Sequence, residues 1–199
     1  MEVYRGNKIK RLIKNNLSKK SPSVLDIGCG LNNLFFKFKN YTGIDIQDYN
    51  VRKYKILIQN LNEQTRLPFK KDAFDVVLAT ELLEHLFRPD LVAAEINRVV
   101  KPNGIIIISL PNEFTLNCRM GFLLNKVLNH GFVPYTHKYI FNVQKIEEFM
   151  NDYFLPVERD LACMGHFWQN MPDPINDFLA NVNPSFFAKS LIYACKKKS

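Results

Sequence analysis

Apolar residues along this chain change period several times, and each change marks a predicted element. From residue 2 to 20 they return at helical spacing, with Ile9, Leu12, Ile13 and Leu17 on one side. Ser21-Pro22 stops that helix. A short buried strand follows from Ser23 to Ile27, then a glycine turn and a helical stretch around Leu34 to Phe38. Strands are predicted again over Tyr41 to Ile46 and Lys55 to Gln59. Between them, Gln47 to Tyr54 holds too little periodic sequence for an ordinary crossover helix. Phe74 to Ala79 and Ile105 to Leu110 are continuous apolar runs, the pattern of strands covered on both faces. Helical spacing returns over Asp90 to Val100, Thr115 to Leu128 and Val143 to Asp152, while Lys101-Pro102-Asn103-Gly104 reads as a turn. Two late strands, Val157 to Cys163 and Phe187 to Cys195, flank a stretch from Gly165 to Pro184. Pro172, Pro174 and Pro184 mark that stretch as a loop-rich flap.

Strands alternating with helices predict an α/β architecture. The expected form is one domain over residues 1–199, a doubly wound and mainly parallel seven-stranded sheet with helices on both faces. One strand near the C-terminus is expected to run antiparallel. Composition agrees: 199 residues, 47% apolar, with 16 Phe and 8 Tyr, are enough for a proper core and argue against disorder.

Charge adds a partner question. The formal net charge is +8. Lys8, Lys10, Arg11, Lys14, Lys19 and Lys20 crowd the first twenty residues, and Lys196, Lys197 and Lys198 end the chain. The expectation is a solvated basic N-terminal helix over 1–20, with an acidic partner such as nucleic acid permitted but not required. Cys29, Cys118, Cys163 and Cys195 form no C-x-x-C pair, which argues against a zinc ribbon or a redox pair. No apolar leader and no window of 18 apolar residues occurs, so a soluble, cytoplasmic protein is expected.

The candidate chemistry starts at Val24-Leu25-Asp26-Ile27-Gly28-Cys29-Gly30. A strand, a glycine turn and an acidic residue, Asp45, nineteen positions after Asp26 match the layout of a nucleoside-cofactor crevice. Gly28 and Gly30 let the backbone turn sharply against a ligand. Asp45, at a strand end, can accept hydrogen bonds from both ribose hydroxyls. A dinucleotide loop needs a third glycine, and Gly28-Cys29-Gly30-Leu31-Asn32-Asn33 lacks it. Asp26 would also repel a pyrophosphate. It suits a cationic or amine-bearing ligand, which leaves a nicotinamide oxidoreductase as a weak reading.

The D-I-G-C-G run resembles the first motif of class I S-adenosylmethionine (SAM) methyltransferases. So do LPFKKDAFDVVLATELLEHL at 67–86 and EINRVVKPNGIIIISLPN at 95–112, which are similar to the central and late motifs of that superfamily, type 11-like. The resemblance implies a Rossmann-like methyltransferase fold with SAM as cofactor. Asp26 would lie near the methionine end, Gly28 and Gly30 would shape the pocket, and Asp45 would hold the ribose. Asn60 stands where the family often has an Asp for the adenine amino group, with Leu61 contributing through its backbone. Asn32 occupies a loop position where a small residue is common. Glu81 would help to shape the cofactor and acceptor pocket.

Glu81-Leu82-Leu83-Glu84-His85 follows the central strand at its carboxyl end. On a helix, residues 81, 84 and 85 would share a face. Two carboxylates and an imidazole so placed can bind a divalent cation. The E-x-x-E-H segment resembles two groups: ubiquinone-type O-methyltransferases, and small-RNA 2′-O-methyltransferases in which a later His completes a metal site. His137 is placed for that role. The alternatives are therefore a site of Glu81, Glu84, His85 and His137 around a metal, and a metal-free site. The metal-free site is preferred, because many relatives carry the segment without a metal. In it, His85 or His137 is the base that a hydroxyl acceptor needs. His130 and His166, the latter beside Phe167 and Trp168, read as packing residues. Residues 113–141 would form an insertion over the acceptor, walled by Phe114, Phe122, Phe132, Tyr135 and Tyr139, and the acceptor would sit near Asn112 and His137. The expected function is methyl transfer to a small-molecule, lipid-like or carbohydrate acceptor, at oxygen. RNA 2′-O-methylation with a divalent metal and non-catalytic SAM binding stay open as alternatives.

Overall fold

Seven strands form one sheet, in the order β3-β2-β1-β4-β5-β7-β6. The computed structural model describes residues 2–30, 38–49, 54–123, 137–163 and 173–198. The strands are β1 (Ser23–Ile27), β2 (Asn40–Asp45), β3 (Lys55–Ile58), β4 (Phe74–Thr80), β5 (Val100–Pro111), β6 (Leu155–Cys163) and β7 (Ala188–Lys196). All neighbours pair parallel except β7, which runs antiparallel to both β5 and β6. The expected doubly wound, mainly parallel sheet with one reversed strand near the C-terminus is therefore present.

Its central strands are mostly apolar because both faces are covered. Leu25, Ile27, Val77, Ala79, Ile106 and Ile108 belong to one buried cluster, with α2 (Pro89–Val99) and α4 (Val143–Tyr153) packed on it. Val24, Val76, Leu78, Ile105 and Ile107 alternate onto the other face, under α1 (Glu2–Asn16) through Ile9, Leu12 and Ile13.

Several local readings are corrected. The first helix ends at Asn16, not residue 20. Asn16 turns its amide onto the Leu12 carbonyl (2.9 Å) and onto Glu158 (2.7 Å), satisfying groups at the helix end. Nor is its basic face simply solvated. Lys8 is buried, donating to Asp160 (3.0 Å) and Asp177 (2.7 Å), and Arg11 reaches Asp160 as well (2.5 Å). The Lys101-to-Gly104 turn lies within β5. Phe74 pairs with Val100 and Val76 with Ile105, so the extra residues form an irregularity between two paired segments. Turn chemistry there bends a strand and does not end it. The C-terminal part of the expected flap is helical: α5 (Asp173–Val182) is followed by α6 (Pro184–Phe187). Pro184 is tolerated because it stands in the first turn, where its missing N–H costs nothing. Residues 31–37, including Asn32 and most of the Leu34-to-Phe38 stretch, lie outside the described residues, as do residues 124–136 and 164–172.

Candidate active site

Strands β1 and β4 are adjacent although consecutive strands on either side wind in opposite directions. Their carboxyl ends thus open a crevice at the topological switch point. The glycine turn lies on one side of it. Gly28 and Gly30 have φ of 68° and 50°, in the left-handed region that favours glycine. At Gly28 a Cβ would also sit 2.8 Å from Leu82 Cδ1, so no larger residue fits there without a shift. The N–H groups of Gly28 and Cys29 both donate to the Ile44 carbonyl, at 2.8 and 3.1 Å. Asp45 Oδ2 then accepts from the Gly30 N–H (2.8 Å) and Oδ1 from the Gln47 N–H (3.1 Å). Asp45 therefore joins the glycine turn to the end of β2. The Tyr49 hydroxyl also reaches Oδ1, at 3.5 Å, so of the four acceptor positions on the carboxylate one stays unfilled and a second is held only by this long contact.

Asp26 lies under the turn and is 2% exposed. Its carboxylate accepts from the Tyr41 hydroxyl at 2.7 Å. Burial pushes its pKa up to about 7; the Tyr41 bond opposes the rise and Asp45 adds to it. The sequence reading took Tyr41 only as the start of a strand; it is itself buried in β2 and was not recognised as the partner of Asp26. Burial and the charges of Asp26 and Asp45 push the Cys29 thiol up to about 12, which removes it as a nucleophile.

Asn60 and Leu61 follow β3. Leu61 is buried in the core. The Asn60 amide is used locally, donating to Glu63 (2.7 Å) and accepting from the Asn62 N–H (3.1 Å). Asn62, which was not singled out from sequence, bridges to the central segment through the His85 carbonyl (3.3 Å) and the Phe87 N–H (2.7 Å).

The Glu81-to-His85 segment is not the regular helix on which one shared face was expected. Glu81 takes a left-handed conformation, with φ of 50°, and only Leu83–His85 form a single 3-10 turn. Ser109, opposite on β5, accounts for this. Its carbonyl and hydroxyl both accept from the Glu81 N–H (3.0 and 3.1 Å), and its hydroxyl donates to Glu81 Oε1 (2.8 Å). Arg5 of α1 stands 3.6 Å from Glu81 Oε2.

Glu84, His85 and His137 do converge. Each offers one ligand atom, and these atoms lie within 4.8 Å of one another; Glu81 does not belong to the group. His137 is brought in because the Lys138 and Tyr139 N–H groups donate to the Glu84 carbonyl, at 2.7 and 3.2 Å. The His85 and His137 rings meet edge to face, with centroids 4.5 Å apart. Glu84 is 1% exposed, its Oε1 is 3.9 Å from His85 Nε2, and its Oε2 is buried without a hydrogen-bond partner among the described residues. Burial, then the Glu81 and Glu113 carboxylates, hold its pKa well above the usual range. Glu113 completes the cluster, with Oε1 2.6 Å from His137 Nδ1. Burial raises the Glu113 carboxyl, and His137 opposes that rise. Glu113 was missed because the late motif was read only to Asn112. An acidic residue just beyond the carboxyl end of a buried strand was the available signal.

Other expected members do not join the cluster. Asn112 is buried, and its side chain binds the carbonyls of Pro184 (3.3 Å), Ser185 (3.2 Å) and Ala188 (2.9 Å), which anchors α6. Phe114, Phe122 and Tyr139 are exposed and do not pack the sheet. His130, His166, Phe132 and Tyr135 lie outside the described residues.

Comparison with known proteins agrees with this fold. Residues 25–108 match the family model of a methyltransferase domain. A SAM-dependent methyltransferase from Archaeoglobus fulgidus has the same fold, with a TM-score of 0.66 and 18% identity over 99% of this chain and 95% of that one. The sterol 24-C-methyltransferase ERG6B of Gibberella zeae is 30% identical over 97 residues, 41% of this chain and 26% of its own length. A ubiquinone biosynthesis O-methyltransferase of Colwellia psychrerythraea is 32% identical over 103 residues, 45% of this chain and 42% of its own. The chain thus spans less than half the length of these two curated relatives. Residues 25–108 are thus similar to a methyltransferase domain, and the whole chain shares the fold of that solved methyltransferase. Among the described residues no helix is long and apolar enough to cross a membrane.

Proposed function

We propose that the chain transfers a methyl group from SAM to a hydroxyl of a small, largely apolar acceptor. The cofactor would lie across Gly28, Gly30, Asp45 and the Asn60–Leu61 turn, with Asp26 beneath its methionine end and Glu81 at the floor of the crevice. The acceptor would stand above Glu84, His85 and His137. The Glu113–His137 pair is the observation that carries this reading. Transfer from a sulfonium is an in-line displacement, for which alignment supplies much of the rate. An oxygen acceptor additionally requires its proton to be removed, and in the cation-free protein an imidazole fixed by a carboxylate is built to take it. Exposed Phe114, Phe122 and Tyr139 supply apolar surface near the same end of the sheet. The two curated relatives, named for a sterol and for ubiquinone biosynthesis, favour a small lipid-like acceptor over a polymer.

The test is calorimetry with SAM and with NAD, followed by incubation with methyl-labelled SAM and separated lipid, carbohydrate and RNA fractions. SAM binding with label in the lipid fraction supports the reading. Label in RNA, or SAM binding with no transfer to any fraction, rejects the acceptor assignment. NAD binding in place of SAM rejects the cofactor assignment.

A further inference from the structure

We propose that the end of the sheet opposite the crevice is a docking surface for an anionic lipid bilayer. The crevice lies at the carboxyl ends of the parallel strands, and their amino ends carry a row of lysines. In sheet order from β3 to β7, Lys55, Lys39, Lys19, Lys71, Lys101 and Lys196 stand at or beside that end of each strand. β7 contributes its last residue because it runs antiparallel to β5. Lys20, Lys70, Lys197 and Lys198 widen the row. Strands about 4.8 Å apart give it a length of about 24 Å.

Contacts tie these lysines to one surface. Lys19 (2.8 Å) and Lys101 (2.9 Å) share Asp75, near the start of β4. Lys197 pairs with Asp72 and donates to the Val100 carbonyl (3.1 Å), where β5 begins. Lys196 donates to the Gly104 carbonyl (3.1 Å) and Lys198 to that of Asp152 (2.7 Å). Lys20, Lys39, Lys55, Lys70 and Lys71 are exposed. Asp72, Asp75 and Asp152 offset only part of this charge, and Glu95 beside them is paired with Arg98 (2.7 Å). Much of the net charge of +8 is therefore gathered at one end of the molecule.

The makeup of the row favours a bilayer over a nucleic acid. Its cations are lysines, hydrated point charges without the guanidinium fork that grips a phosphate in two places. The exposed aromatics Phe87, Phe114, Phe122, Tyr139 and Phe178 belong to other elements, so the row offers no platform for stacking bases. It has aliphatic neighbours instead. Leu155 and Val157, 48% and 49% exposed, open the edge strand β6, and Leu155 pairs in register with Lys196. Clustered lysines flanked by aliphatic side chains match anionic headgroups lying over acyl chains. Strand length puts such a bilayer about 20 Å from the crevice, so docking does not depend on the proposed methyl transfer.

The test sediments the full chain with vesicles of phosphatidylcholine alone, and with vesicles of phosphatidylcholine and phosphatidylglycerol in equal parts. The anionic vesicles should bind it at least about tenfold more tightly. Raising the salt from about 0.05 to 0.5 M should remove most of that difference. Each lysine near such a surface is worth roughly fivefold in affinity, so Lys20→Gln, Lys39→Gln and Lys71→Gln combined should weaken binding at least about tenfold. Lys10→Gln with Lys145→Gln, which removes charge from α1 and α4, should change it by less than about threefold. Thermal melts of both variants should match the parent, since all the replaced lysines are exposed. The proposal is overturned if the chain shows no preference for anionic vesicles, or if the two variants weaken binding equally. Retention by duplex RNA with none by vesicles also overturns it, and would assign the lysines to nucleic acid.

Discussion

Glu113 Oε1 lies 2.6 Å from His137 Nδ1, although the two residues are separated by 23 others. Glu113 follows the end of β5, and its N–H donates to the Phe141 carbonyl (2.9 Å). His137 is held from the other side by the Glu84 carbonyl, through the N–H groups of its two successors. The imidazole therefore has a set position between two strand ends. Replacing the carboxylate tests this. Glu113→Gln should lower turnover about 10- to 100-fold, with SAM affinity unchanged. Glu113→Asp should fall between. Steady-state kinetics beside SAM calorimetry reads both quantities, and equal losses in the two would contradict a role confined to His137.

Asp45→Ala should weaken SAM about ten- to a hundredfold, the equivalent of losing charge-assisted hydrogen bonds. Part of that loss would come from the Gly30 N–H, which Asp45 also holds. Asp45→Asn should therefore lose less. Unchanged SAM affinity in a folded Asp45→Ala protein would remove Asp45 from the pocket.

Glu84→Gln should stabilise the metal-free protein. The folded-state pKa is raised, so ionisation of Glu84 opposes folding at every pH above the unfolded value of about 4.3. Removing the charge should return about 1–3 kcal/mol at pH 7. A thermal melt at pH 7 should rise by about 2–4 °C for each kcal/mol, with the gain disappearing near pH 4. A lower melting temperature would mean that Glu84 has a partner in the apo protein.

Asp26 should impose a pH dependence of its own. Its pKa rises from about 3.9 unfolded to about 7 folded, so stability is highest below about pH 4 for this group and falls between pH 4 and 7. The loss is on the order of 3–4 kcal/mol. Asp26→Asn should flatten that interval in urea unfolding measured from pH 4 to 8. An identical slope in the variant would assign the titration elsewhere.

Asp75 should behave in the opposite sense. Burial would raise its carboxyl, but Lys19 (2.8 Å), the Ser23 N–H (2.8 Å), Lys101 (2.9 Å) and the Ser23 hydroxyl (2.7 Å) hold it well below the carboxylate range. Its stabilisation is fully present above about pH 4 and is lost as pH falls toward the depressed folded value. Asp75→Asn should cost about 2–3 kcal/mol at pH 7, read by urea unfolding, and little at pH 2.

Sequence by itself determined the sheet and the glycine-turn side of the crevice. Continuous apolar runs such as Phe74 to Ala79 have only one stable home, between two covered faces. Gly28, Gly30 and Asp45 are local in the chain, so their spacing was legible. Tertiary structure decided what depends on contacts between distant residues. Ser109 pulls Glu81 out of the expected shared face, Tyr41 occupies Asp26, and Asn112 is spent on α6. Lys8 is buried because Asp160 and Asp177 converge on it. The Glu113–His137 contact has no periodic signature, since it exists only where β5 ends beside the chain that returns to Glu84. A hydrogen bond between residues far apart in sequence is set by how two strand ends meet, and nothing in the local pattern encodes that meeting.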